Sequence, residues 1–213
     1  MKTITIILLS WLCLGTLGAQ KLTEKHLDFS DQKSLEMDIQ IADSISLQTW
    51  NKNEVFVKAS VNINENKDNE AYLISFNEIG YNTKISGRFS DGYFKGRDNC
   101  CNESEIFWQV WVPENTDLKI ETINGNITIT GQTDQMKVKT ISGYIDLAIP
   151  ATQNANIDMS TISGTIYTNH ALSLSKNHTG IPTVIKEKFN DGGLPISLET
   201  ISGDIFFRKA GKR

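Results

Sequence analysis

The residues with the clearest potential for chemistry are acidic side chains that recur in the second half of the chain. They lie at polar positions between apolar ones: Glu121, Asp146, Asp158, Glu199 and Asp204. Glycan-cleaving enzymes use such carboxylates in pairs, often beside a lysine or arginine. Here Glu121 is expected beside Lys139, and Lys137 beside Asp158, which indicates ordinary cross-strand ion pairs. No spacing in the sequence places a nucleophile beside a base. We therefore expect that the protein is not an enzyme, and we name no catalytic residue.

A second set of residues combines aromatic rings with hydrogen-bonding groups. Its members are Thr128, Tyr144, Asp146, Tyr167, Asn169, Phe206 and Arg208. Rings stack on the apolar faces of ligands, and neighbouring polar groups fix their orientation. The other interpretation is that the three rings only stabilise a sheet by packing across strands. We predict an interaction surface here, with an unknown glycan or protein ligand.

The cysteines and histidines do not form a metal-binding pattern. Cys100 and Cys101 are adjacent, and the three histidines (His26, His170 and His178) are distant from them in sequence. No Cys-x-x-Cys spacing is present. Adjacent cysteines can form a strained bridge, stay reduced or pair between molecules. We expect no metal and no other cofactor.

These side chains are carried by a repeated unit. The segment LKIETINGNITI (118–129) recurs as MKVKTISGYIDL (136–147), IDMSTISGTIYT (157–168) and ISLETISGDIFF (196–207). Apolar and polar residues alternate on both sides of a central Thr-Ile-Ser/Asn-Gly, which indicates two strands with one buried face each. The apolar positions change from even to odd numbers across this tetrapeptide in the first copy. The chain must therefore bend there.

One glycine marks each predicted bend. Gly125, Gly143, Gly164 and Gly203 are separated by 18, 21 and 39 residues. Glycine is the residue that reaches positive φ freely and lets backbones approach closely. Because 39 is the sum of the two shorter gaps, we predict one degenerate turn near 172–174 and 180–181.

Repeats of about 18–21 residues predict an all-β, single-domain β-solenoid, similar to a parallel β-helix. A β-sandwich is the rival fold, but it does not call for the same bend in every repeat. Stacking in chain order would place Ile123, Ile141, Ile162 and Ile201 in one interior column. It would also separate Asp146 from Asp204.

The region before the repeats shows a looser alternation. Apolar and polar residues alternate over 35–63 and 106–112, which predicts earlier coils or a capping N-terminal region. Trp108 and Trp111 lie at opposite parity on one strand, so only one of them can face the core.

The N-terminus has the features of an export signal. Lys2 precedes an apolar run from Ile4 to Leu14, and small residues end at Ala19. We predict a cleaved signal peptide at 1–19 and one domain at 20–213, with the clearest repeats at 118–207. No second long apolar run follows, so no transmembrane segment is expected in the mature chain. A formal net charge of −4 with scattered lysines argues against nucleic-acid binding.

The strand that ends at Val112-Pro113, leading into Leu118-x-Ile120 and the repeated Thr-Ile-Ser-Gly-x-Ile, resembles the bacterial putative-adhesin domain family. The resemblance covers about residues 30 to 208. It implies an exported or surface β-solenoid domain of undefined activity, and it brings no catalytic or binding residues with it.

The leading functional hypothesis is a non-catalytic, exported cell-envelope or surface protein that acts as an adhesin-like interaction module. It would be periplasmic, on the cell surface or secreted. An alternative is a periplasmic accessory or envelope-stress protein that binds a protein partner at a strand edge or cap. A glycan-cleaving β-helix enzyme is the third hypothesis.

Overall fold

A computed structural model describes residues 20–30, 34–95, 103–171 and 182–211. Within these ranges the chain forms fourteen strands of one β-sheet and a single short 3-10 helix, Asn69–Ala71. The fold is therefore all-β. The predicted signal peptide, Cys100, Cys101, His178 and the predicted degenerate turn lie outside the described residues.

The first half of the chain contains six strands. They are β1 (Lys21–Asp28), β2 (Ser34–Trp50), β3 (Glu54–Ile63), β4 (Tyr72–Ile79), β5 (Asn82–Phe89) and β6 (Ser104–Pro113). The long strand β2 pairs in parallel both with β6 and with the strand that follows β6 in the chain, Asp117–Thr130 (β7). The first half therefore adds strands to the sheet of the repeats at the edge formed by β7.

The repeats and one strand between the third and the last repeat, Thr183–Phe189, form the remaining strands. They are β7 (Asp117–Thr130), β8 (Met136–Ser142), β9 (Ile145–Ile149), β10 (Ala155–Ser163), β11 (Ile166–Thr168), β12 (Thr183–Phe189), β13 (Leu194–Ser202) and β14 (Ile205–Lys209). Each repeat contributes one stretch before its bend and one after it. Neighbouring repeats pair in parallel, with Thr122 opposite Thr140 and Ile127 opposite Ile145.

The expectation that the repeats stack in chain order is wrong. Before the bend, the strands lie in the order β7, β8, β13, β10, and after it in the order β7, β9, β14, β11. The last repeat is thus inserted between the second and the third, while β12 pairs antiparallel with the far side of β10. Because every repeat carries apolar inward side chains followed by a buried threonine, the sequences define which units can stack but not in which order.

The core is a single apolar cluster. Leu118, Ile120, Ile127 and Ile129 are all buried, in agreement with the switch of parity across the bend. Trp108 is also fully buried, whereas Trp111 at the opposite parity is only partly buried. The predicted alternation therefore identifies the inward side of β6 and β7 correctly.

The predicted interior column of isoleucines is wrong. Ile123, Ile141, Ile162 and Ile201 are exposed by 50%, 42%, 50% and 38%. The parity explains the error, because even-numbered residues face inward before the first bend and Ile123 is odd. Thr122, Thr140, Thr161 and Thr200 occupy the inward column instead, and each is buried.

The buried threonines supply hydrogen bonds that apolar residues cannot. The Thr161 hydroxyl donates to the Gly203 carbonyl at 2.9 Å, and the Thr200 hydroxyl donates to the Gly143 carbonyl at 3.2 Å. Both bonds join adjacent repeats at the bend. A buried carbonyl without a partner costs free energy, so threonine is the better residue at this inward position.

Candidate interaction surface

The predicted surface residues lie on the outward side of the strands that follow the bend. Thr128 on β7 is opposite Asp146 on β9, Asp146 is opposite Phe206 on β14, and Phe206 is opposite Tyr167 on β11. Directly opposed residues point to the same side of a sheet. These side chains therefore form one row across four strands.

Three of the predicted residues form a continuous strip of rings, here called the ring strip: Tyr144, Phe206 and Tyr167. The Phe206 ring lies 5.1 Å from the Tyr167 ring with an interplanar angle of 11°, and 6.1 Å from the Tyr144 ring, edge to face. Tyr144 and Tyr167 are exposed by 38% and 49%. The strip is continuous because the inserted last repeat places Phe206 between the two tyrosines.

Polar residues flank the ring strip in fixed positions. Arg208 donates two hydrogen bonds to Asp146, at 2.5 Å from Nε and 2.9 Å from Nη2. This carboxylate partner raises the pKa of Arg208 above its usual range. The Asn169 side chain accepts a hydrogen bond from the Lys209 backbone N–H at 2.8 Å. These hydrogen bonds hold the side chains of Arg208 and Asn169 in fixed positions beside the rings.

The four predicted bend glycines lie close to one another's backbones. A Cβ on Gly143 would lie 2.3 Å from the Gly125 carbonyl oxygen, and one on Gly203 would lie 2.1 Å from that of Gly143. A Cβ on Gly164 would lie 1.9 Å from the Gly203 oxygen. Gly143 also has a φ of +133°. Adjacent repeats can approach this closely only without side chains at these positions.

The acidic residues considered for catalysis are each engaged by a neighbour rather than paired with one another. Asp158 contacts Lys186 at 2.8 Å, Glu199 contacts Lys139 at 2.9 Å and Glu121 contacts Lys119 at 3.0 Å. The predicted pairing of Lys137 with Asp158 is wrong, because Ser197 lies between them in register. The Asp204 carboxylate accepts the Thr165 backbone N–H at 2.8 Å.

A groove of about 550 Å³ lies at the beginnings of β2, β7, β8 and β13. Its lining includes Ile79, Met136 and Pro195, together with Lys84 and Lys119. Both lysines contact Glu36, at 3.0 Å and 3.4 Å, and this lowers the pKa of the Glu36 carboxyl. The groove is therefore a region of internal ion pairs.

The histidines and acidic residues of the described ranges form no cluster that could hold a metal ion. His170 is buried between Phe207, at 4.4 Å, and Phe189, at 4.5 Å between ring centroids. Burial lowers the pKa of the His170 imidazole. It packs in the core beneath the ring strip.

The family comparison decides the identity of the fold. Residues 20–207 match the family model described as Toastrack DUF4097. This chain belongs to the Toastrack DUF4097 family. The resemblance to an adhesin-type family that the repeats indicated is thereby confirmed, and one solved structure of similar fold is named a putative cell adhesion protein.

This Toastrack DUF4097 chain is similar to a putative cell adhesion protein from Clostridium sporogenes ATCC 15579, with a TM-score of 0.59 and 10% identity over 90% of this chain and 100% of that one. A putative adhesin from Bacteroides fragilis NCTC 9343 aligns over 92% of this chain and all of its own, with a TM-score of 0.35 and 9% identity. At 10% identity the likeness to the Clostridium sporogenes protein concerns the fold alone. No curated protein matches the chain. In the described residues no helix is long and apolar enough to cross a membrane.

Reasoning from the sequence found the residues of the ring strip but missed their order across the sheet. It also missed that Asp146 and Arg208 pair, because chain-order stacking keeps their repeats apart. The sequence analysis did not include the outward positions of β2 and β6 in the surface, although parity alone identifies these positions as outward.

Proposed function

We propose that this domain is an exported, non-catalytic binding module of the cell envelope, and that the ring strip is its contact surface. In this proposal residues 1–19 are a cleaved signal peptide, and residues 20–213 form a β-solenoid-like domain whose stacked repeats hold the strip rigid. The ligand is a glycan or a protein. The name of the solved structure of similar fold supports an adhesin-like role.

The observation that carries the proposal is the continuity of the strip. Tyr144, Phe206 and Tyr167 come from three different repeats, yet their rings touch and two of them are more than a third exposed. Aromatic residues at the centre of a contact often supply most of its binding free energy. Phe206 packs between the two tyrosine rings and is itself partly buried.

A binding array tests this proposal. The purified chain is applied to immobilised glycans and matrix proteins, beside a Tyr144→Ala/Tyr167→Ala variant and a Lys139→Ala control from the other side of the bend. Loss of aromatic anchors costs about 2 kcal/mol or more, or roughly 30-fold in affinity. Saturable binding that the double variant loses and the control keeps supports the strip. Binding that survives in the double variant would refute it.

The alternative function is a periplasmic accessory or envelope-stress role, with a protein bound at a strand edge. Four described strands, β1, β4, β11 and β12, each pair with one neighbour only. An open edge can accept an added strand. Capture of a periplasmic protein that is unaffected by changes in the ring strip would favour this alternative.

A further inference from the structure

The ring strip is one end of a longer outward face, here called the long face. Thr128 on β7 is opposite Ser46 on β2, and Ser46 is opposite Gln109 on β6. Gln109 is in turn opposite Lys58 on β3, and Lys58 is opposite Glu24 on β1. Because each opposed pair shares one side of the sheet, the face runs unbroken over the eight strands β1, β3, β6, β2, β7, β9, β14 and β11.

A second group of rings lies on the long face, here called the tryptophan cluster: Trp50, Phe56 and Trp111. The Phe56 ring stacks on Trp111 at 5.2 Å, and the Trp50 ring lies 6.4 Å from Trp111. All three side chains are only partly buried. The cluster is bordered by His26, which stacks on Phe56 at 4.4 Å, and by Lys52, whose ammonium lies 4.4 Å from the Trp50 ring.

The two ring groups are separated by an uncharged polar band. On the long face, residues 44–48 of β2 and 126–130 of β7 present only hydroxyl and amide side chains: Ser44, Ser46, Gln48, Asn126, Thr128 and Thr130. Beyond this band, the first charged residue on the β9 side is Asp146, which pairs with Arg208, and on the β6 side it is Glu105, which accepts a hydrogen bond from the Asn62 side chain at 2.9 Å. Four strand spacings separate Trp111 on β6 from Phe206 on β14, or about 19 Å at the usual distance between strands.

From this arrangement we infer that the long face binds a linear, uncharged polysaccharide that crosses the strands, with sugars stacked on both ring groups. Its hydroxyl groups exchange hydrogen bonds with the polar band, where serine, threonine, asparagine and glutamine can each donate and accept. A fully apolar ligand would leave this band unsatisfied, and an acidic polymer would find no free cation on it. The inference rests on the proposed function and specifies its ligand class.

Chain-length dependence tests the inference directly. The probes are neutral cello-, xylo- and manno-oligosaccharides, from disaccharide to octasaccharide, titrated into the purified chain by calorimetry. Since Trp50 and Trp111 belong to the face while Trp108 is in the core, tryptophan fluorescence gives a second readout. We expect at least one series to bind at least tenfold more tightly as octasaccharide than as disaccharide, with a change in fluorescence.

Three variants locate the two ends of the site. Trp111→Leu and Tyr167→Leu keep an apolar side chain but remove a ring, and each should reduce the affinity for the octasaccharide to about that for a short ligand. Lys139 lies on the other face, before the bend, so Lys139→Ala should leave the affinity for the octasaccharide unchanged. Thermal unfolding of each variant, which should match the parent within a few degrees, shows that the sheet persists.

The outcomes separate this inference from the proposed function. An affinity independent of length, or a Trp111→Leu variant that binds normally while Tyr167→Leu does not, overturns the inference and leaves the ring strip standing. Binding to acidic polymers or proteins alone, and to no neutral series, also overturns it. If Tyr167→Leu leaves every interaction intact, both the inference and the ring strip fail.

Discussion

The two outward faces on either side of the bend are built from the same repeats, yet they differ in chemistry. The face before the bend, here called the ionic face, carries charged residues in successive repeats: Lys119, Glu121, Lys137, Lys139, Asp158 and Glu199. The face after the bend carries the ring strip and the uncharged band. Inward positions must repeat because they stack in columns, whereas outward positions are free to differ. Function is therefore to be sought where the repeats disagree.

The charges of the ionic face largely satisfy one another. Lys139 contacts Glu199 at 2.9 Å across adjacent strands, and Lys186 contacts Asp158 at 2.8 Å. Lys119 contacts both Glu36 and Glu121. A ligand would have to compete with these ion pairs, whereas it can contact the exposed rings of Tyr144 and Tyr167 without breaking an ion pair. The contrast favours the long face as the binding surface.

The largest expected effect separates the ring strip from the core beneath it. Phe207 is fully buried, while its neighbour Phe206 points outward. Phe207→Ala should lower the free energy of unfolding by about 3–5 kcal/mol, because it empties a packed site. Phe206→Ala should lower it by about 1 kcal/mol, the value of a surface ring pair. Denaturant unfolding of both variants measures the difference; equal losses would contradict an outward Phe206.

The next largest effect concerns the bend that divides the two faces. Gly143→Ala should lower the free energy of unfolding by about 2–4 kcal/mol, because a Cβ would meet the Gly125 carbonyl and φ is positive. Gly211→Ala is the matched control, since nothing lies within 4 Å of its Cβ position. Denaturant unfolding should show no change in the control. A tolerated Gly143→Ala would mean that the repeats are not packed this closely at the bend.

A smaller effect is a pH dependence that arises beneath the ring strip. The pKa of His170 is lowered by burial, so the unfolded chain takes up a proton at a higher pH than the folded chain does. The free energy of unfolding should therefore fall as the pH drops below about 6.5, the usual histidine value. Unfolding of His170→Phe, measured from pH 7.5 to 5.5, should be less sensitive to pH. An unchanged slope would show that another group causes the dependence.

The smallest effects compare one ion pair from each face. In double-mutant cycles the two-bond pair of Asp146 with Arg208 should couple by about 1 kcal/mol, and the pair of Lys139 with Glu199 by about 0.5 kcal/mol or less. Both couplings should decrease at high salt. If Lys139 and Glu199 couple more strongly than Asp146 and Arg208, the long face does not carry the more firmly held polar side chains.

Local periodicity was sufficient to predict the all-β class, the strands of the repeats and their buried sides. Leu118, Ile120, Ile127 and Ile129 follow a period of two, and period two is a property of any strand with one buried face. The bend could be located because Gly125 and its equivalents recur at a fixed place in the motif. The isoleucines at the bend were predicted to be buried because they are hydrophobic, although their parity places them on the outward side. The polar Thr122 was not recognised as an inward residue.

The order of the repeats could not be predicted, because it depends on long-range pairing. β8, β10 and β13 each present apolar inward residues followed by a buried threonine, so this pattern does not determine which of them are neighbours. The continuity of Tyr144, Phe206 and Tyr167, and the pairing of Asp146 with Arg208, follow from that order. The candidate residues could thus be named from the sequence, but their arrangement required the structure.

The most direct test of the central claim is a binding measurement that compares the two faces within one chain. The array of glycans and matrix proteins is probed with the parent chain, with Tyr144→Ala/Tyr167→Ala and with Lys139→Ala. If the face after the bend is the contact surface, the tyrosine variant should lose binding by roughly 30-fold, and the lysine variant should bind as the parent does. Loss of binding in Lys139→Ala with normal binding in the tyrosine variant would contradict the account.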